Sequence, residues 1–422
     1  MRSLAAAGAF ALAVAAFPAQ PAGAALPRAT PESQGVSAAR LERLHAYFDE
    51  AIASGAYLGA VTLVARRGRI VDWRAYGHRD LAKRNPMQPE SIFRIYSMTK
   101  TVATIGLLVL MEEGRLALED PASKYLPALA KVQVMSGGTA DAPLLRAPGR
   151  PITLRHLLTH TAGFATSGPD GDEAVKLFNR VDLHASKDLE DYVSRVGALP
   201  LAADPGERFA YDGVNAEVAS RVIEVVSGQP LEAFLQARVL QPLRMTDTGF
   251  TVPADKRGRL VEMTSTDAQG RLIAWPEGEA PSPGGRMRNY FSGAGGLYST
   301  AGDFARLCQM LLNGGELDGA SILSRKTVDL MMTNQLAPPL SAYGDGFGLG
   351  GYVVTDVAGR GRPGSAGQYG WSGAASTYYT IDREEGLAAM LLMQHLPQGL
   401  PRDPQKASVR FYNLVYQSLG KR

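Results

Sequence analysis

Cysteine is almost absent: Cys308 stands alone in the chain, so no internal disulfide forms and no thiolate cluster for zinc or an iron–sulfur centre can be assembled. Stability must come from a buried core. Histidine is scarce as well, 6 in 422 residues, and the nearest pair, His156 and His160, has helical i,i+4 spacing but lacks the glutamate of an H-E-x-x-H zinc site. No metal is expected. A surplus of one charge is missing too, since 44 Lys+Arg face 41 Asp+Glu for a net +3, too little to point to a nucleic-acid partner. Beyond the N-terminus no run is long and apolar enough to span a bilayer, so no stable membrane insertion is expected. Internal repeats and low-complexity tracts are absent. What remains is the composition of an ordinary globular protein, 45% hydrophobic and 20% charged. Its length exceeds a typical domain of about 100–200 residues and predicts one large unit or two intimately joined ones.

The first residues place Arg2 before an apolar run from Leu4 to Phe17 and the small residues Ala22-Gly23-Ala24. That order is a secretory signal peptide, about residues 1–24, and predicts an exported, periplasmic or secreted protein. Pro18 and Pro21 interrupt the run before it could cross a membrane.

Periodicity then organises the chain. Apolar residues at helical spacing predict a helix over Ala38–Ala53, stopped by Gly55. The β-branched and aromatic runs Gly59–Ala65 and Ile70–Tyr76, parted by Arg66-Arg67-Gly68-Arg69, predict a hairpin. Phe347–Val354, Ala375–Ile381 and Leu387–Gln394 predict further strands, closed by a helix from about Lys406 to Leu419. Between these blocks lie helical patterns at Leu154–Leu158, Leu189–Val196, Val214–Val226 and Leu231–Leu240. Strands at both ends with helices between predict one sheet built from both termini and an inserted helical region. A cleft between two such parts is a natural ligand site. Gly359–Gly370 and Val134–Arg150 read as loops.

One short motif carries chemistry. Ser97-Met98-Thr99-Lys100 leads into the apolar helical run Thr101–Glu113, stopped by Gly114, so Lys100 falls on the same helix face as Ser97. A serine hydroxyl is a poor nucleophile, and a neighbouring amine takes its proton only when uncharged; apolar surroundings disfavour the ammonium form. The motif alone admits a second reading, a capping serine beside a solvated first-turn lysine, and S-x-x-K recurs at Ser418 and Lys421.

The context of Ser97 lies in Phe93-Arg94-Ile95 before it, Asp120-Pro121 after the helix, Ile152-Thr153-Leu154-Arg155-His156-Leu157-Leu158-Thr159-His160-Thr161-Ala162-Gly163-Phe164, Phe209-Ala210-Tyr211-Asp212-Gly213-Val214-Asn215 and Gly370-Trp371-Ser372-Gly373-Ala374. In that order, from about Leu41 to His395, these segments resemble the class C-like branch of the serine β-lactamase and penicillin-binding-protein superfamily. The W-x-G form at Trp371 is similar to family VIII carboxylesterases. The resemblance implies a β-lactamase-like fold, α/β (α+β), with an antiparallel sheet from both chain ends flanked by helices. A single hydrolase domain over 25–422 would divide into an α/β part, about 38–115 and 285–422, and a helical part, about 116–284.

The resemblance further implies that Ser97 attacks an ester carbonyl while Lys100 and Tyr211 act as general base and acid. The backbone N–H groups of Ser97 and Ala374 would form an oxyanion hole, a fixed pair of donors for the developing negative charge. Trp371, Ser372, Gly373 and Asn215 would contact the substrate, a small-molecule ester of short acyl chain, with no cofactor. Two departures matter: Trp371 stands where the superfamily carries a lysine that binds substrate carboxylates, and Gly213 stands where Asn is common. Both favour neutral esters, leaving weak β-lactam hydrolysis as a side activity. The rivals are a β-lactamase or D-Ala-directed peptidase with the same covalent chemistry, and a non-catalytic penicillin-binding-like sensor. The sensor would tend to lose Lys100 or Tyr211, and both are present.

Other segments read as structural. His160 and Thr161–Phe164 are expected to fix a buried turn. Ser292–Thr300 is glycine-rich without the Lys-Ser/Thr pair of a phosphate loop, and is expected to border the active site. Gly370–Ala374 lacks the final glycine of a G-x-S-x-G elbow, which disfavours an α/β-hydrolase.

Overall fold

A computed structural model of the protein describes residues 25–169, 171–275, 289–338 and 344–420. The leader read over 1–24, the junction expected at 284/285 and residues 339–343 lie outside the described residues.

The hairpin forms as its pattern dictates, with β1 (Gly59–Arg66) and β2 (Arg69–Gly77) joined through Arg67 and Gly68. Both linking residues have positive φ, 52° and 79°, as a tight two-residue hairpin turn requires. Five strands from the C-terminal part complete the sheet: β3 (Asp345–Phe347), β4 (Tyr352–Val354), β5 (Tyr369–Gly373), β6 (Thr377–Asp382) and β7 (Leu387–Leu392). Their order is β3-β4-β5-β6-β7-β1-β2, and every pairing is antiparallel. The two ends of the chain therefore meet at β7–β1 within one seven-stranded sheet. Every residue of β1 and β7 is buried, which is why these strands read as continuous apolar runs rather than alternating ones.

Helices cover both faces. On one, Leu41, Leu44 and Phe48 of α1 (Ala38–Ala53) and Phe411 and Val415 of the C-terminal helix Ala407–Tyr416 pack on Val64, Leu387 and Leu391. On the other the helix Ala301–Leu312 packs on β7, β1 and β6, and α2 (Thr99–Glu112), buried continuously from Thr99 to Leu110, reaches the sheet through Thr101 Oγ1, 2.7 Å from the Tyr379 hydroxyl of β6. A helix apolar all round belongs in the interior, and α2 packs between the sheet layer and α3 (Val214–Ser227). Among the described residues no helix is long and apolar enough to cross a membrane.

Three loop or strand assignments change. Phe347–Val354 is not one strand: Gly350 at φ 75° turns the chain between β3 and β4, and a side chain on Gly351 would press on the Tyr369 ring. Val134–Arg150 contains a hairpin, Val134–Gly138 with Pro143–Arg146. Gly359–Gly370 includes the end of a helical turn, Val357–Arg360, and the start of β5.

The sheet is fastened to α1 by a titrating pair. His45 Nε2 lies 2.9 Å from Asp72 Oδ1 of β2, and the Asp72 hydrogen bond raises the imidazole above its ordinary value although burial opposes it. A raised folded value means stability fully present below the unfolded value and lost as pH rises through the folded one. Asp72→Asn is therefore expected to lower the melting temperature more at about pH 5.5 than at about pH 8.5, on either side of the ordinary histidine value of about 6.5. Equal losses at both pH values would remove the charge from this contact.

Candidate active site

The approach to α2 is strained. Tyr96, an aromatic residue, holds φ at 44°, a conformation that costs on the order of 1–3 kcal/mol outside glycine. Its buried ring is held among Met263, Ala375 and Leu396. Ser97 follows in the single 3₁₀ turn Tyr96–Met98. The N-cap of α2 is Met98, which makes no side-chain cap, so the capping reading of Ser97 does not hold.

The Ser97 side chain instead meets Lys100. Lys100 Nζ lies 3.1 Å from Ser97 Oγ and donates to the Ala294 carbonyl at 2.8 Å. The lysine is only 5% exposed, and Ser97 is half-buried. Tyr211, just ahead of α3, brings its ring centroid to 5.0 Å from the Lys100 amine. On its far side Trp371 of β5 donates its indole N–H to the Tyr211 phenol oxygen at 3.0 Å, with ring centroids 4.8 Å apart. Residues from the head of α2, the head of α3 and a strand of the main sheet thus form one contact chain, Ser97–Lys100–Tyr211–Trp371.

Gly373 ends β5 against the strained turn. A Cβ there would collide with the Ile95 carbonyl and with Thr377 Oγ1, so only glycine lets β5 run this close to the Ser97 segment. Ala374 follows and is exposed, and Ser372 is half-buried. Phe347 packs edge-on against Trp371 at 5.1 Å and on Phe209 at 5.2 Å, giving this side of the site an aromatic wall.

Asn215 is not brought into this group. It is 1% exposed, and both its backbone N–H and its side-chain amide donate to Asp212 Oδ1 at 2.9 Å. Thr166 donates to the other carboxylate oxygen at 2.8 Å, so Asn215 orders the Tyr211 turn from below. His160 lies under the phenol, ring centroids 4.7 Å apart. Burial lowers its pKa below the ordinary value, and its Nδ1 accepts from the Asp212 N–H at 3.4 Å. His156, its i,i+4 partner, is used elsewhere, where its Nδ1 accepts from the Thr153 N–H in a capping box.

One participant lies in the stretch expected to border the site, and another escaped the sequence reading. The glycine-rich stretch supplies the Ala294 carbonyl, and Glu217 of α3 accepts from the Ser292 hydroxyl and, at 3.1 Å, from the Gly293 N–H. A signal for Glu217 existed: it falls on the apolar stripe of Val214, Val218 and Val222, where a carboxylate is costly unless it is bonded.

Known proteins share this architecture. The Beta-lactamase family profile matches residues 44–412, and the chain belongs to that family. Esterase EstB of Burkholderia gladioli is 29% identical over 381 residues, covering 85% of this chain and 91% of that protein. Lovastatin esterase of Penicillium rubens is 31% identical over 382 residues, covering 82% and 91%. Among solved structures, EstCE1, "a hydrolase with promiscuous acyltransferase activity", superposes with a TM-score of 0.75 at 26% identity, covering 89% of this chain and 98% of that one. The fold is β-lactamase-like, and the chain fits the family VIII esterases of the β-lactamase and penicillin-binding-protein superfamily; it is a serine hydrolase of that superfamily.

Proposed function

We propose that the protein is an exported serine carboxylesterase that cleaves neutral esters of short acyl chain through an acyl-enzyme on Ser97. The observation that carries this reading is the 3.1 Å contact between Lys100 Nζ and Ser97 Oγ at the head of a buried helix. Ser97 Oγ attacks the ester carbonyl while its proton passes to Lys100 Nζ. The N–H groups of Ser97 and Ala374 hold the oxyanion, in keeping with the close approach of Gly373 to Ile95. Collapse breaks the ester C–O bond, and the proton reaches the leaving alkoxide through the Lys100/Tyr211 pair. Because Trp371 donates to the phenol oxygen, the Tyr211 O–H stays available to be given up. Water then attacks the acyl-enzyme, its proton following the reverse path, and the acid leaves.

Trp371 and Phe347 put apolar rings where a carboxylate-binding cation would be needed for a peptide or β-lactam. The esterase relatives support the same ranking, and an alcohol replacing water at the last step would give acyl transfer. The reading is tested with p-nitrophenyl acetate and butyrate alongside nitrocefin. Ester kcat/KM is expected to exceed that for nitrocefin by about 100-fold, within the range that pocket chemistry alone can discriminate. A faster β-lactam reaction would make the protein a β-lactamase.

A further inference from the structure

Granting that Ser97 and Lys100 are the reacting pair, we propose that Glu217 is a positioning residue that aims the Lys100 amine at Ser97 through the Ser292–Gly295 turn. Among the described residues Lys100 Nζ has two hydrogen-bond partners, Ser97 Oγ at 3.1 Å and the Ala294 carbonyl at 2.8 Å. A lysine ammonium or amine sits on a flexible four-carbon stem, so its direction at Ser97 depends on where that carbonyl stands.

Glu217 fixes the carbonyl. It is 0% exposed and stands six residues after Tyr211 on α3. One carboxylate oxygen accepts the Ser292 hydroxyl, the other the Gly293 N–H at 3.1 Å, and the Ala294 N–H also points to it. The turn closes on itself through Gly295 N–H to Ser292 Oγ at 3.2 Å and Gly296 N–H to the Ser292 carbonyl at 2.8 Å. A side chain on Gly293 would strike Ser220 Oγ of α3 and lie 3.4 Å from Ala103 Cβ of α2, so the turn is wedged between the helix that carries Lys100 and the one that Tyr211 leads.

A carboxylate fills this role better than an amide. An ionised carboxyl accepts on both oxygens and donates from neither, whereas glutamine offers one acceptor oxygen and an NH₂ group that only donates. Among the described residues, the titratable groups that face Glu217 are Lys100 of α2, Tyr192 of the Leu189–Gly197 helix and Tyr290 beside the turn. Burial pushes the carboxyl up to about 7, against the Ser292 hydrogen bond, so the clamp is complete above that pH and loosens below it.

The test compares the wild-type chain with Glu217→Gln, Glu217→Leu and Ser292→Ala, using a fluorophosphonate probe with mass-spectrometric mapping of Ser97, and steady-state ester hydrolysis per titrated site. Both the labelling rate at Ser97 and kcat are expected to fall about tenfold in Glu217→Gln and about 100-fold in Glu217→Leu, with KM within about twofold, the scale of a catalytic group displaced by about 1 Å. Ser292→Ala, which deletes only a hydroxyl, is expected to lose about tenfold and to add nothing further in the Glu217→Gln background, because both act along one path. The wild-type kcat profile should bend near pH 7, and the bend should vanish in Glu217→Gln. Unchanged labelling and kcat per titrated site in Ser292→Ala and Glu217→Gln, or losses confined to KM or to the fraction of active sites, would overturn the assignment. A wild-type chain left unlabelled at Ser97 would overturn the esterase reading and this one with it.

Discussion

Ser97→Ala is expected to lower ester hydrolysis by on the order of 10⁴-fold or more, because loss of the nucleophile leaves only binding and oxyanion stabilisation. The same change should cost little stability. Ser97 does not cap α2, its hydroxyl meets the neighbouring Lys100 side chain, and the strain at Tyr96 belongs to the backbone on either side. A melting temperature within a few degrees of wild type is therefore expected, which separates loss of chemistry from loss of fold. Mass spectrometry after a slow ester should find an acyl adduct on the wild-type chain and none on the variant. Retained turnover in Ser97→Ala would place the nucleophile elsewhere and dissolve the Ser97–Lys100 assignment.

How much of this fold and site is legible in the sequence depends on the range of each interaction. Helix α1 runs from Ala38 to Ala53 with Ser37 as its cap, matching its apolar period, because period and stop signals are local. The Ser97–Lys100 contact is legible for the same reason, three residues along one helical turn. The meeting of Tyr211 with Trp371, 160 residues apart, has no local signature; only the order of motifs in a known family suggests it. Glu217 stays hidden because its partnership with the Ser292–Gly295 turn is wholly tertiary, and a lone acid on an apolar stripe reads as an exception to a pattern rather than as a clamp. Asn215 shows the opposite error. An amide near the tyrosine motif resembles a substrate donor, but the fold turns it inward to satisfy Asp212. The break at Gly350 escapes detection because a glycine inside a strand run signals either a bulge or a turn, and the choice lies with a tertiary neighbour, Thr104 of α2, which a side chain on Gly350 would strike.

Lys100→Arg distinguishes a base from a mere positive charge. Arginine keeps the cation and several donors, so the Ala294 carbonyl and Ser97 Oγ both remain satisfiable. It cannot lose its proton in a protein, so it cannot take the one that Ser97 must release. If Lys100 is the base, kcat should fall by about 10²–10⁴-fold, the usual worth of a positioned proton acceptor. The larger guanidinium must also fit a site closed by Ala294 and the Tyr211 ring, so steric damage has to be separated from lost chemistry. Lys100→Ala does this, since it opens space instead of filling it, and a small amine such as ethylamine supplied in solution can occupy the gap. Rescue of Lys100→Ala that grows with the concentration of the uncharged amine, with none for Lys100→Arg, is the expected pattern. Substantial activity in Lys100→Arg would instead make Tyr211 the proton acceptor, and the buried amine would serve only to hold the phenol in place.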